Sequence, residues 1–334
     1  MKRFVQRGCT AMRQTSQAKP GPRPGVKHDS PTLMGPQAQM RLSVVTDELS
    51  SDLETALELC QSWGVDAIEL RGIDTGRYPE VSDYWRRRAP ELVRAGGFTV
   101  CALSPGLFKI PFPGEEPASE EGLRWLDATT LARFDAAKRL LDHHLSRLLP
   151  ASIDAALELG TSRLLCFSFV RGPGLQPNEP LPEGIIAVLR EAADRAQKAG
   201  VELDIETEDI CWGDTAVRTA SIVERVGHPS LGVNLDPANC YFAGEVSPLA
   251  GYLAARPHVR HIHFKDAIKT DQGYHFTPRG ELDWLPFFRV LASDEYRGFI
   301  SVETHARPKV ASTKYLVDRL RQYLENVKAP GPAG

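Results

Sequence analysis

From residue 41 onward, short aliphatic and β-branched runs alternate with amphipathic helical stretches, and the alternation repeats eight times. The runs are LSVVT at 42–46, AIELR at 67–71, FTVCAL at 98–103, RLLCFSF at 163–169, VELDIE at 201–206, LGVNLD at 231–236, VRHIHF at 259–264 and FISVET at 299–304. Helical patterns fall at 52–63, 82–95, about 127–159 with an interruption near Pro150, 183–199, 214–226, 247–255, 284–292 and 313–327. Gly64, Gly96, Gly160, Gly200 and Gly227 stand just past these stretches, where a left-handed residue ends a helix. Eight β-then-α units match an α/β fold of the (β/α)8 TIM-barrel type better than an open doubly wound sheet, which usually has fewer strands. A Gly-rich dinucleotide fingerprint is absent after the first run.

Residues 1–39 differ from the rest, with seven Lys or Arg against the single acid Asp29 and the stretch KPGPRPG at 19–25. They lack the apolar core of a secretory signal and read as a disordered basic leader, or as translation from an early start codon. A single barrel domain is expected over 40–328, followed by a flexible tail APGPAG at 329–334. The 104–130 connection, SPGLFKIPFPGEEPASEEG at its start, is long enough to cover a site or to be a passive insertion. Its 40 basic and 43 acidic residues leave a net charge of −3, so no overall field draws the chain to nucleic acid or an anionic membrane. No run approaches the roughly 18 apolar residues of a membrane helix. The six cysteines, Cys9, Cys60, Cys101, Cys166, Cys211 and Cys240, form no CxxC pair and point to a reducing, cytoplasmic setting.

Successive side chains on a strand face opposite sides, so each barrel strand shows one set to the helices and the other to the axis. In VELDIE, Val201, Leu203 and Ile205 suit the helix layer, which turns Glu202, Asp204 and Glu206 inward. The same rule turns Asn234 and Asp236, then His261, His263 and Lys265, then Ser301 and Glu303 toward the axis. Four successive strands therefore end with Glu206, Asp236, His263 and Glu303 converging on the mouth. A lone acid at a strand end ordinarily caps a helix or pairs with a cation, and a lone inward histidine is ordinarily a hydrogen-bonded core residue. Three acids and an imidazole together need a countercharge. One divalent cation supplies it, and the hard donor set favours Mn²⁺, Mg²⁺ or Co²⁺, with Zn²⁺ also admissible.

At these residues the chain resembles the xylose-isomerase-like TIM-barrel family, in particular its sugar phosphate isomerase and epimerase members. GVELDIETE resembles the family's fifth-strand glutamate motif, GHPSLGVNLDPANCYFAGE at 227–245 its aspartate motif, VRHIHFKDA its His-x-Lys-Asp strand, and GFISVETH at 298–305 its closing glutamate. The stretch at 44–73, VVTDELSSDLETALELCQSWGVDAIELRGI, is similar too. The resemblance implies that Glu206, Asp236, His263 and Glu303 bind one divalent metal and that Glu206 and Glu303 double as acid/base groups. It also implies a metal chelating adjacent carbonyl and hydroxyl oxygens of a keto-sugar or sugar phosphate, while two carboxylates face opposite sides of the acidified carbon. Two positions depart from the pattern: Asn239 stands where relatives often carry histidine, and Thr207 where Asn is common.

Asn239 is therefore read either as a hydroxyl ligand or as a turn residue. Glu69, Arg71, Lys109, Arg171 and Lys265 are further candidates for binding substrate hydroxyls, a carboxylate or a phosphate. Each has an ordinary structural reading: Lys265 neutralising the ligand acids, Arg71 pairing with Glu69. His275 and Arg279 belong to the seventh loop, near the mouth or solvated, and His143 and His144 read as helix surface. A metal-dependent lyase or dehydratase on a keto-inositol or 3-keto-glycoside is the principal alternative, because elimination starts from the same proton abstraction. An apurinic-endonuclease-like phosphodiesterase is disfavoured, since the second and third strand ends lack histidine and the net charge is negative. A non-catalytic sugar-binding barrel would not require both glutamates. The expected partner is a small carbohydrate, with no nucleic acid or membrane and with homo-oligomerisation left open.

Overall fold

The computed structural model describes residues 40–114, 132–133, 135–172, 175 and 179–327. The expected leader at 1–39, the tail at 329–334 and residues 115–130 of the 104–130 connection lie outside the described residues. Eight strands pair in parallel, each with its neighbour in the chain: β1 (Arg41–Val45), β2 (Ala67–Leu70), β3 (Thr99–Leu107), β4 (Arg163–Cys166), β5 (Glu202–Glu206), β6 (Leu231–Leu235), β7 (Val259–Phe264) and β8 (Phe299–Val302). β8 returns to pair with β1, which closes the barrel and leaves no edge.

Helices connect the staves: α1 (Leu53–Ser62), α2 (Asp83–Ala95), α3 (Ala137–His143), α4 (Leu149–Leu159), α5 (Glu183–Lys198), α6 (Ala216–Val226), α7 (Pro237–Phe242), α8 (Pro248–Ala255), α9 (Trp284–Ser293) and α10 (Lys309–Asn326). Their starts are set by short polar caps. Asp52 accepts from Thr55 N–H, Ser82 from Trp85 N–H, Thr215 from Arg218 N–H and Ser247 from Ala250 N–H. No described helix is long and apolar enough to cross a membrane.

The outward strand residues Ile205, Val233, Leu235, Ile262, Phe264, Ile300 and Val302 are fully buried against this helix layer. Phe264, for example, meets Trp284 and Phe288 of α9 edge-on, with ring centroids 4.7 and 5.8 Å away. Burial of such a side chain stabilises the fold by roughly 1.5–3 kcal/mol. The axis side is polar instead: Ser43, Glu69, Asp204, Asn234, His261 and Ser301 are all fully buried. Ser43 and Ser301 stand opposite each other in register, and their hydroxyls meet at 2.6 Å.

Four local expectations are corrected. The left-handed residue after α2 is Gly97 (φ +69°), while Gly96 is still right-handed at φ −78°. The break in the long third helical stretch is a π turn at His144–Leu148, and Pro150 is the second residue of α4, which continues directly from that turn. That wide turn swings His144 into the interior, 7% exposed, where its Nδ1 accepts the Phe108 N–H at 2.8 Å. β4 stops at Cys166 because Phe169 takes φ +65°, which no strand sustains.

Candidate metal and active site

Glu206 closes β5, Asp236 directly follows β6, His263 lies inside β7 and Glu303 directly follows β8. The registers Glu206↔Asn234, Asn234↔His261 and Ser301↔His263 bring these neighbouring strand ends to one level of the barrel. Each side chain offers a donor atom, and the four atoms lie within 4.8 Å of one another. His263 Nδ1 is 3.6 Å from Glu206 Oε1, 3.7 Å from Asp236 Oδ2 and 3.2 Å from Glu303 Oε2. All four residues are buried, and Nδ1 has no aligned hydrogen-bond partner.

Local contacts aim each of these groups. Asp236 caps α7: its Oδ1 accepts the Ala238 and Asn239 N–H groups, both at 3.0 Å, which leaves Oδ2 turned to the cluster. The opposite ring nitrogen of His263, Nε2, donates to Glu69 Oε2 at 3.0 Å, with the Asn234 amide 3.2 Å away. Glu69 also accepts from His261 Nε2 at 3.0 Å. A carboxylate behind an imidazole fixes its tautomer and orientation, as in many metal sites.

The charges are strongly coupled. Burial pushes the Glu303 carboxyl up, but Lys265, His305, Arg71 and His263 outweigh it and hold the group well below the usual carboxylate range. Burial likewise pulls His263 down, and Glu69, Glu206 and Glu303 reverse the shift. Lys265 Nζ sits 2.9 Å from Asp236 Oδ2 and 2.8 Å from Glu303 Oε2, so an ammonium already leans on two of the acids. The oxygen-rich donor set, with an imidazole nitrogen aimed at three carboxylates, fits a divalent cation.

The other candidates separate. Arg71 binds Glu303, Glu48 (2.6 Å) and Asp47 (2.9 Å), and not Glu69, whose carboxylate is taken by the two histidines. Asn239 gives its side-chain N–H to Thr207 O at 2.9 Å and so closes the turn above Asp236. Lys109 Nζ is 2.6 Å from Glu208 and lies over the Phe167 ring. Arg171 is bound to Asp214 at 2.8 Å and to the Cys211 carbonyl, and does not line the cavity beside Glu206 and Glu303. His275 and Arg279 are exposed, with Arg279 stacked on Tyr315.

That cavity encloses about 290 Å³, and Asp47, Glu48, Arg77 and His305 line it although alternation did not point to them. His305 bridges Glu48 and Glu303, at 3.0 and 3.2 Å. These four residues lie past the ends of the barrel strands, where the barrel's inward and outward alternation stops. The only visible signals were an acidic pair after the first run and a histidine two residues beyond Glu303.

Comparison with known proteins places these features in context. A family model described as xylose isomerase-like TIM barrel matches residues 57–326. A search of curated proteins finds no significant match. Among solved structures, an L-ribulose 3-epimerase is similar at 19% identity and TM-score 0.62, covering 87% of this chain and 96% of its own. A structure of IOLI protein with a binding zinc atom matches at 19% identity and TM-score 0.62, with coverages of 86% and 98%. A probable 3-DHS dehydratase, AsbF from Bacillus anthracis, matches at 15% identity and TM-score 0.59, with coverages of 84% and 99%.

Proposed function

The chain belongs to the xylose isomerase-like TIM-barrel family, and from that premise we propose that it is a metal-dependent sugar isomerase or epimerase acting beside the carbonyl of a keto-sugar. The observation that carries this reading is the convergence of Glu206, Asp236, His263 Nδ1 and Glu303 at one rim of the barrel, with their donor atoms within 4.8 Å. In this reading the four residues hold one divalent cation, and the 290 Å³ cavity beside them takes the sugar. A divalent ion bound there supplies Lewis-acid polarisation of a carbonyl and its neighbouring hydroxyl, an effect of several kcal/mol on developing negative charge.

The protein's own groups then divide the proton work. Glu206 Oε1 lies 3.6 Å from His263 Nδ1 at one side of the cluster and lines the cavity, so it is the base for the acidified C–H. Glu303 is held by Arg71 and His305 through Oε1 and by Lys265 through Oε2. These contacts fix its position and connect it to two N–H donors and an imidazole that can carry a proton to or from it. Positioned carboxylates of this kind contribute about 10²- to 10⁴-fold each.

Incubation with a panel of ketoses in D₂O with Mn²⁺ tests the reading. Solvent deuterium in the recovered sugar or its epimer supports it, and an unsaturated product assigns the chain to elimination instead. Glu206→Gln and Glu303→Gln should each lower exchange at least about 100-fold. Unchanged exchange in either variant with metal still bound would refute the acid/base roles.

A further inference from the structure

Four permanently cationic side chains line the cavity beside Glu206 and Glu303: Arg71, Arg77, Lys109 and Lys309. Three of them are already answered by acids. Arg71 is clamped by Asp47, Glu48 and Glu303, Lys109 is paired with Glu208, and Lys309 donates to the Asp47 carbonyl at 2.9 Å with Glu48 at 4.0 Å. Arg77 is different: no carboxylate among the described residues pairs with it, and its Nη1 is buried without any hydrogen-bond partner. A buried donor left unsatisfied costs more on a charged group than on a neutral one, and each such group calls for an explanation.

The fold makes room for this guanidinium. Gly106 adopts φ +81°, and a Cβ there would stand 3.0 Å from Arg77 Nη1 and 3.2 Å from Cδ. The residue that packs against Arg77 is thus one without a side chain. Arg77 also lines a second cavity of about 480 Å³, which shares Asp47, Arg77 and Lys309 with the first. It stands where the two cavities meet.

We propose that the substrate carries an acidic group, a carboxylate or a phosphate, and that Arg77 receives it. This rests on the isomerase reading above and names the substrate class for that site. A planar guanidinium with free N–H groups in a confined cavity is matched by an oxyanion able to take two parallel hydrogen bonds. A neutral sugar hydroxyl would satisfy the donor but form no ion pair with it; Glu206, Asp47 and Glu303 act on Arg77 only from beyond ion-pair distance.

Calorimetric titration of the Mg²⁺-loaded full chain with D-fructose, D-fructose 6-phosphate and 5-keto-D-gluconate tests the assignment. The wild type should bind at least one of the two acids at least about tenfold more tightly than D-fructose, and whichever acid wins identifies the group. Arg77→Gln should remove that preference while changing D-fructose binding less than about threefold. Arg77→Lys should keep part of it, since charge is retained and the fork is lost. The assignment is overturned if the wild type shows no preference for either acid, if neither acid binds, or if Arg77→Gln weakens all three sugars alike. Should Arg77→Gln fail to fold, the wild-type preference and Arg77→Lys decide. Metal affinity measured on the same samples separates the two levels. A wild type that binds no divalent ion sinks the isomerase reading, whereas a metal-binding chain indifferent to acids loses only the Arg77 assignment.

Discussion

Replacing Glu69 by Gln probes the cluster from behind while leaving its four donor groups in place. Glu69 is fully buried and accepts N–H groups from His263 Nε2 and His261 Nε2, each at 3.0 Å. Gln is nearly isosteric but neutral: both imidazoles share Oε2, so an amide oxygen there keeps both acceptances without the carboxylate's charge, whereas an amide N–H₂ there loses both. In either orientation both hydrogen bonds lose their charge assistance, falling from about 1.5–3 to at most about 0.5–1.5 kcal/mol each. With the hold on its Nε2 weakened, the His263 ring is freer to turn Nδ1 away from Glu206, Asp236 and Glu303. Outer partners of metal-binding histidines typically govern about 10- to 100-fold in affinity, or about 1.4–2.7 kcal/mol. Competition against a fluorescent chelator, on protein shown folded by circular dichroism, should give a Mn²⁺ dissociation constant weaker by that factor. A constant within about twofold of the wild type would show that Glu69 does not hold His263 in its metal-facing orientation.

Two further outcomes test the charge balance and the packing. Lys265→Met removes the ammonium that sits 2.9 and 2.8 Å from Asp236 and Glu303 and leaves both acids short of a partner. The metal-free variant should lose roughly 3–5 kcal/mol in chemical denaturation and recover more on Mn²⁺ addition than the wild type does; equal metal-free stabilities would contradict this. His144 is neutral in the fold, because burial, aided by His143 and Arg133, pushes its imidazole from 6.5 down to about 4. The unfolded chain binds the extra proton between those values, so the contribution is complete above about pH 6.5 and is lost as the pH falls toward 4. At about 1.4 kcal/mol per unit this is roughly 3 kcal/mol, and a His144→Gln variant should show a shallower loss of stability between pH 7 and 4.5 by that order.

Strand periodicity reached the cluster because a two-residue repeat in a closed barrel admits a single inward set. Once Ile205, Val233, Ile262 and Val302 are assigned to the helix layer, Glu206, Asp236, His263 and Glu303 have nowhere else to point. The two-residue repeat ends where the strand ends. Asp47, Glu48, Arg77 and His305 lie in connections, and their positions follow from loop conformation, such as φ +50° at His305, that local sequence does not dictate. The partners of Arg71 were missed for a related reason: Asp47 becomes its neighbour when β2 pairs with β1, and Glu303 only when β8 closes onto β1. Gly96 and Gly97 show the limit at a single residue. Tandem glycines both tolerate the left-handed region, and the helix's last hydrogen bonds choose between them.

On the proposed reading the rim has two halves with different physical tasks. β5 to β8 supply Glu206, Asp236, His263 and Glu303, a set whose mutual distances any bound cation would constrain. The ends of β1 to β3 and their connections supply Asp47, Glu48, Arg71, Arg77 and Lys109, which line the cavity where a substrate would lie. Arg71 joins the halves across the β1–β8 seam, one nitrogen on Glu303 and the others on Glu48 and Asp47. Glu69 belongs to β2 yet serves the first half from below, through His263. Perturbations should therefore separate by task and not by strand number. Changes at Glu69 should move metal affinity, and changes at Arg77 should move ligand preference at constant metal affinity. A loss of Arg71 should move both, because it alone among these residues holds Glu303 and the cavity wall in one network.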